Sequence, residues 1–224
     1  MIALRDAALI AGKDLRLELR SRVTTNQVAP FALLVLVLFA FALDADQAVL
    51  DRATAGLYWV AVVFAGLLAI QRAFTVEVAD GNRDALRLSG LDPAGIFLGK
   101  VAAVAVQLLA LEAVLLVGVA FLYGADLGGL GLLAVTCVLA TVGLAAAGCA
   151  YGALAAGLRV RETLLPLLLL PILAPVLIAA TRAFEDALGT VGVDGWAWVN
   201  LLAVFAAVYV AFGVLAFGSL LEDA

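Results

Sequence analysis

Histidine is absent from this 224-residue chain, methionine occurs once and cysteine twice, and only 14% of the residues are charged. Without histidine there is no imidazole metal ligand, and the commonest general base is missing. The two cysteines, Cys137 and Cys149, fall in one apolar run. On a helix they stand about 18 Å apart, beyond the roughly 7 Å a disulfide spans, so they cannot pair with each other. Lysine is nearly missing too, with only Lys13 and Lys100. The 18 acids outnumber the 13 bases for a net charge of −5, which argues against nucleic acid, whose phosphates need a basic face. No GxxxxGK[ST], HExxH or GxSxG pattern occurs. Nothing here cradles ATP phosphates in the usual way, and no enzymatic reading stands out.

What the chain has in abundance is apolar residues: 66% of the total, with a mean hydropathy of +1.18. Soluble domains run about 45–50% apolar and about 25% charged, and a fold of this size buries only about 70% of its surface. The solvent for most of this chain is therefore lipid. Six stretches are long enough for roughly 30 Å of hydrocarbon: 24–43, 53–70, 94–123, 127–158, 163–181 and 196–221. The fourth carries no charge and is too short for two crossings, so it reads as one long, tilted or broken helix. The expected fold is an all-α integral membrane protein with one six-helix domain over 24–221, preceded by a separate segment over 1–23.

Basic residues set the orientation. Arg5, Lys13, Arg16, Arg20 and Arg22 precede the first span. Arg72, Arg83, Arg87 and Lys100 surround the loop after the second, and Arg159 and Arg161 follow the fourth. The other side holds only Arg52 and Arg182. Both termini are thus expected in the cytoplasm, with short acidic loops outside. The first span, which follows a charged lead rather than a short basic tip, reads as an anchor rather than a removable signal peptide. In that lead, Leu4, Ala8, Ala11, Leu15 and Leu19 recur at helical spacing while the charges occupy other faces. Glu18 and Arg22 stand four apart, acid first, the favourable order for a helical pair. An amphipathic helix in the cytoplasmic interface follows, acting as a topology anchor or as an elbow that touches a cytoplasmic partner. Trp59, Trp196 and Trp198 are expected at the outer headgroup level.

Three segments hold residues of interest. In the loop 71–93, Asp80-Gly81-Asn82 is a turn signal. Asn82 can cap a short helix over 83–89 that is stopped by Gly90 and Pro93. Its Leu86 lies apart from Arg83, Asp84 and Arg87, and so short a helix needs something to pack on. Glu112 is the acid deep in the bilayer, where a charge costs roughly 2.5–3.5 kcal/mol, so it should face the protein interior, be protonated or meet a partner chain. Gln107 lies about 140° around the helix from it and shares a face with Lys100 instead. Gly148 and Gly152 form a GxxxG packing face. Pro166, Pro171 and Pro175 all fall in the fifth span, where they predict a bent, mobile or cavity-lining helix.

Several runs have a familiar look. Gly56–Phe74 (GLYWVAVVFAGLLAIQRAF), then Glu77, Asp80-Gly81 and Leu98–Lys100, resemble the haem exporter protein B family, CcmB. So do KDLRLELRSR at 13–22 and the proline-spaced run 164–180. The resemblance is collinear over nearly the whole chain. One departure is Gly90, in a loop where the family more often has a proline. The resemblance implies an ABC-2-like exporter permease architecture, a membrane subunit of an ATP-binding-cassette complex for cytochrome c maturation. ATP would be hydrolysed on a separate CcmA-like ATPase, with CcmC-like and CcmD-like membrane partners and a CcmE-like external haem chaperone. Haem would be the species carried by this subunit or held by its partners, with none bound here as a resident cofactor. Tyr58, Tyr123, Tyr151 and Tyr209 read as packing or interface residues rather than haem ligands. The same resemblance makes the 71–93 loop the ATPase-coupling element, through Glu77, Asp80, Gly81, Arg83, Asp84, Leu86, Arg87, Leu88 and Leu91. Two other readings stay open from the residues alone: a drug or polysaccharide exporter subunit, and a non-transport assembly scaffold.

Overall fold

The computed structural model describes residues 2–22, 24–43, 47–78, 90–156 and 161–223. It is an all-α membrane protein, with no strand among the described residues. In hydrocarbon every backbone N–H and C=O must be satisfied within its own segment, which leaves a chain of this hydropathy little but helix. The elements are α1 (Ile2–Ser21), a short π turn (Thr24–Val28), α2 (Ala29–Leu43), α3 (Gln47–Val78), α4 (Pro93–Tyr123), α5 (Leu130–Ala156), α6 (Arg161–Ala187) and α7 (Gly195–Asp223). Six of the helices are long and apolar enough to cross a membrane, and α1 is not among them.

Several boundaries differ from the hydropathy expectation. The second span, expected over 53–70, is a helix of 32 residues, about 48 Å long and well beyond the hydrocarbon thickness. Charged residues bounded the expected span, but they do not end a helix; they carry it out to the headgroups. The fifth span likewise runs past Thr181 to Ala187, through Arg182 and Glu185, which pair at 2.9 Å. The uncharged fourth span is one continuous helix that begins only at Leu130. Ahead of it Gly124 takes a left-handed φ of 67° and the Asp126 carboxylate accepts from Gly128 N, so the chain turns before the helix starts.

The central helices are α3 and α5, with 67% and 61% of their membrane windows buried, against 17% for α2 and 22% for α7. Small residues allow the close approach: a Cβ on Gly148 would lie 2.1 Å from Ile70, and one on Gly152 would lie 2.5 Å from Phe74. Trp59 belongs to this centre and is 1% exposed, which corrects its expected headgroup position. It lies twelve residues into α3 and packs edge-on against Tyr58 and Phe184. Trp196, by contrast, is 56% exposed.

The two ends of the bundle are distinct. Pro93, at the start of α4, meets Gly218 near the end of α7, while Gly95 and Gly99 meet α1. The first and last helices therefore gather at one end. At the other end the α6–α7 connection is closed by Asp186, whose carboxylate accepts from Gly195 N, and by Asp194, which accepts from Trp196 N as a cap.

Candidate functional site

At the end where the termini gather, α1 lies against α4 through a glycine pair that hydropathy reading missed. A Cβ at Gly95 would stand 2.8 Å from Ala3 O, and one at Gly99 would stand 2.6 Å from Ala7 O. The GxxxG spacing of Gly95 and Gly99 is visible in the sequence, but it sits at the start of a span where a cap and a proline draw attention first. The face of α1 brought down by these glycines is Ala3, Asp6, Ala7 and Ile10, followed by Asp14 and Glu18 one and two turns further on.

That face is acidic, and each acid meets a specific group. Asp6 Oδ2 accepts from Asp92 N at 3.1 Å, while Asp92 caps α4 by accepting from Ala94 N at 3.0 Å. Asp14 Oδ2 lies 3.6 Å from Lys100 Nζ, and Asp14 Oδ1 lies 3.0 Å from Lys13 Nζ. Lys100 is 1% exposed and its ammonium also stands 5.0 Å from the centre of the Phe74 ring. Glu18 Oε2 lies 3.4 Å from Arg72 Nε. Arg22, expected from spacing to pair with Glu18, lies just past α1 with φ 53°, its backbone N still donating to Glu18 O at 2.8 Å. A cleft lined by Lys13, Asp14, Glu18, Arg72 and Gln107 opens beside these contacts. Gln107 thus shares its surroundings with the Lys100 partner, as the seven-residue spacing suggested.

The consequence is a brace. Arg72 belongs to the last two turns of α3, and Asp92 caps α4. These are the two stems of the 79–89 segment. α1 holds the entry stem through Glu18 and the exit stem through Asp6. Gly90 enters the exit stem with φ 70°, a conformation closed to proline. Of the residues expected to engage an ATPase, Asp80, Gly81, Arg83, Asp84, Leu86, Arg87 and Leu88 lie outside the described residues. Glu77 falls in the last turn of α3, and Leu91 is half-buried against the apolar core.

A second polar group sits in the middle of the bundle. Glu112, 1% exposed, accepts through Oε1 from the Thr141 hydroxyl of α5. Tyr58 of α3 donates to the Glu112 backbone carbonyl at 3.2 Å and lies 3.7 Å from Cys137 Sγ. Its ring stacks on Phe184 of α6 at 4.7 Å. Side chains of α3, α4, α5 and α6 thus meet in one cluster. Tyr123 ties α4 to the peripheral α2 by donating to Leu36 O at 2.9 Å. Neither cysteine is in a disulfide, and both are buried.

The three prolines lie within one uninterrupted α6. Pro171 and Pro175 are on its exposed surface, and Pro166 is half-buried. At the end opposite α1 an open cleft is lined by Asp51, Arg52, Thr54, Asp126 and Thr190. No group of three or more acid or cysteine side chains fit to hold a metal occurs among the described residues.

Comparison with known proteins covers the same span as this fold. The profile described as "CcmB protein" matches residues 5–223. The heme exporter protein B of Haemophilus influenzae is 32% identical over 179 residues, covering 80% of each chain. That of Paracoccus denitrificans is 28% identical over 191 residues, covering 81% of this chain and 83% of its own. That of Pseudomonas aeruginosa is 28% identical over 212 residues, covering 93% and 94%.

Proposed function

The chain belongs to the CcmB family, and from that premise we propose that it is the membrane subunit of a haem-exporting ATP-binding-cassette complex serving cytochrome c maturation. ATP is hydrolysed on a separate CcmA-like subunit. CcmC-like and CcmD-like proteins are its membrane partners. The complex delivers haem to a CcmE-like external chaperone and uses ATP to release the loaded chaperone. The subunit lies in the cytoplasmic membrane with both termini inside. Two observations support that orientation: the termini gather at one end of the bundle, and among the described residues most Lys and Arg belong to that end.

The observation that carries the mechanism is the brace. A nucleotide-driven movement of the ATPase pushes on residues 83–91, which lie in sequence between Arg72 and Asp92. Because α1 holds both stems through Glu18 and Asp6, the push is not absorbed by the loop alone. It moves α1 together with the start of α4. The proline-bearing α6 passes the displacement outward. Each proline removes one backbone hydrogen bond, which makes that helix the cheapest of the six to bend.

The test is charge reversal at Arg83 and Arg87 in the intact complex. The R83E/R87E variant is expected to keep ATP hydrolysis while cytochrome c assembly falls at least tenfold. Normal assembly in that variant would sink the coupling role. A non-transport scaffold makes a different prediction: the complex would keep its output when the ATPase active site is inactivated.

A further inference from the structure

The charges of α1 are sorted by face. Its acids, Asp6, Asp14 and Glu18, are turned to the bundle, where Asp92 N, Lys100 and Arg72 meet them. Arg5, Arg16 and Arg20 are exposed on the other side. A helix whose charges nearly balance in sequence therefore shows the outside a basic stripe. At 100° per residue, Arg5, Arg16 and Arg20 fall within about 60° of one another.

Next to that stripe lies the apolar one. Leu4 is 70% exposed and Leu19 75%, and Ala8 lies between them on the same side. A shallow groove runs over Leu9, Gly12, Arg16, Leu17 and Arg20, and Leu9 and Leu17 are themselves 54% and 45% exposed. Guanidinium groups beside open leucines, at the edge of a membrane-spanning bundle, suit a ligand with an anionic phosphodiester above an acyl chain. A soluble protein surface would leave Leu4 and Leu19 without hydrocarbon. A zwitterionic lipid would leave the guanidinium charges unanswered.

We propose that the outer groove of α1 is a binding site for an anionic phospholipid, with Arg16 and Arg20 on the headgroup phosphate and Leu9 and Leu17 against the acyl chain. The site comes into being only when α1 is docked, because docking withdraws the three acids from the surface. It does not depend on the transport reading.

The test uses the full-length chain in mild-detergent micelles carrying equimolar phosphatidylglycerol and phosphatidylcholine, with retained lipid counted by native mass spectrometry. The wild-type chain is expected to retain phosphatidylglycerol selectively. R16Q/R20Q is expected to lower its apparent affinity roughly thirtyfold, the effect of removing two cations from an anionic surface. R16K/R20K should keep the preference. R52Q, which removes an exposed arginine at the far end of the bundle, should leave it unchanged. Both glutamine replacements are at exposed positions, so helicity and melting of R16Q/R20Q should match the wild type. Equal retention of both lipids by the wild type would overturn the proposal, as would an unchanged preference in R16Q/R20Q. Unchanged lipid retention with loss of a co-purifying subunit from the R16Q/R20Q complex would assign the groove to a protein instead.

Discussion

Two of the polar groups described above solve the same problem differently. At the end where the termini gather, α1 is fixed by opposite charges: Asp14 against Lys100, and Glu18 against Arg72. In the middle of the bundle Glu112 meets hydroxyl chemistry, with Thr141 on its carboxyl and Tyr58 on its own backbone carbonyl. At that end Arg72 keeps access to water at 36% exposure, and the buried Lys100 is met by the Asp14 carboxylate. At mid-membrane a full charge costs several kcal/mol, and neutral hydrogen bonds can hold a polar side chain without that penalty. The first group attaches a surface helix to the spans. The second joins spans to one another.

Four substitutions would break or sharpen this contrast. Glu112→Ala should have the largest effect, a loss of about 3 kcal/mol, because it opens a cavity in the bundle interior and strands the buried Thr141 hydroxyl. Thermal unfolding of the purified chain in mild detergent would measure it. Glu112→Gln should lose under about 1 kcal/mol, since an amide can still accept from Thr141. If Gln proves as damaging as Ala, the group depends on the carboxyl itself and the contrast fails. Asp14→Asn comes next, at about 1–2 kcal/mol, because it leaves the buried Lys100 ammonium without that carboxylate. The loss should show as earlier proteolysis within α1 while the spans stay protected. Glu18→Gln is expected to cost least, below about 0.5 kcal/mol, because Arg72 is 36% exposed and the pair is screened. That small loss should shrink further in high salt, and a loss as large as that of Asp14→Asn would erase the gradient from core to edge.

Much of this architecture is legible in the amino-acid order. Six apolar runs of the right length give the six crossing helices, because length and hydropathy alone decide whether a segment can span. The runs Gly56–Phe74 and 164–180 carried the CcmB resemblance that the family match supports. What hydropathy could not show is direction. Protein interior and lipid are both apolar, so the Leu4/Ala8/Leu19 stripe of α1 announces a helix but not which medium it faces. The answer lay in Gly95 and Gly99 and in the acids at 6, 14 and 18, whose partners lie further along the chain, at Asp92, Lys100 and Arg72. Trp59 misled for a related reason. An aromatic near the outer end of a span is usually an anchor, but here α3 starts six residues earlier than its charges suggested and carries Trp59 into the centre. The residues expected at the ATPase lie mostly in 79–89, outside the described structure, so only the stems of that segment inform its role.

The seat of α1 also sets an order of biosynthesis. Asp6 bonds to Asp92 across 86 residues, so the surface that receives the first helix is not yet made when that helix leaves the ribosome. At translation rates of about 5–20 residues per second the delay is roughly 4–17 s. Over that interval the newborn helix has its acids and its arginines equally uncovered. A nascent chain stopped before Pro93 should therefore hold its N-terminal segment in a protease-sensitive state, and one extended through the third span should protect it.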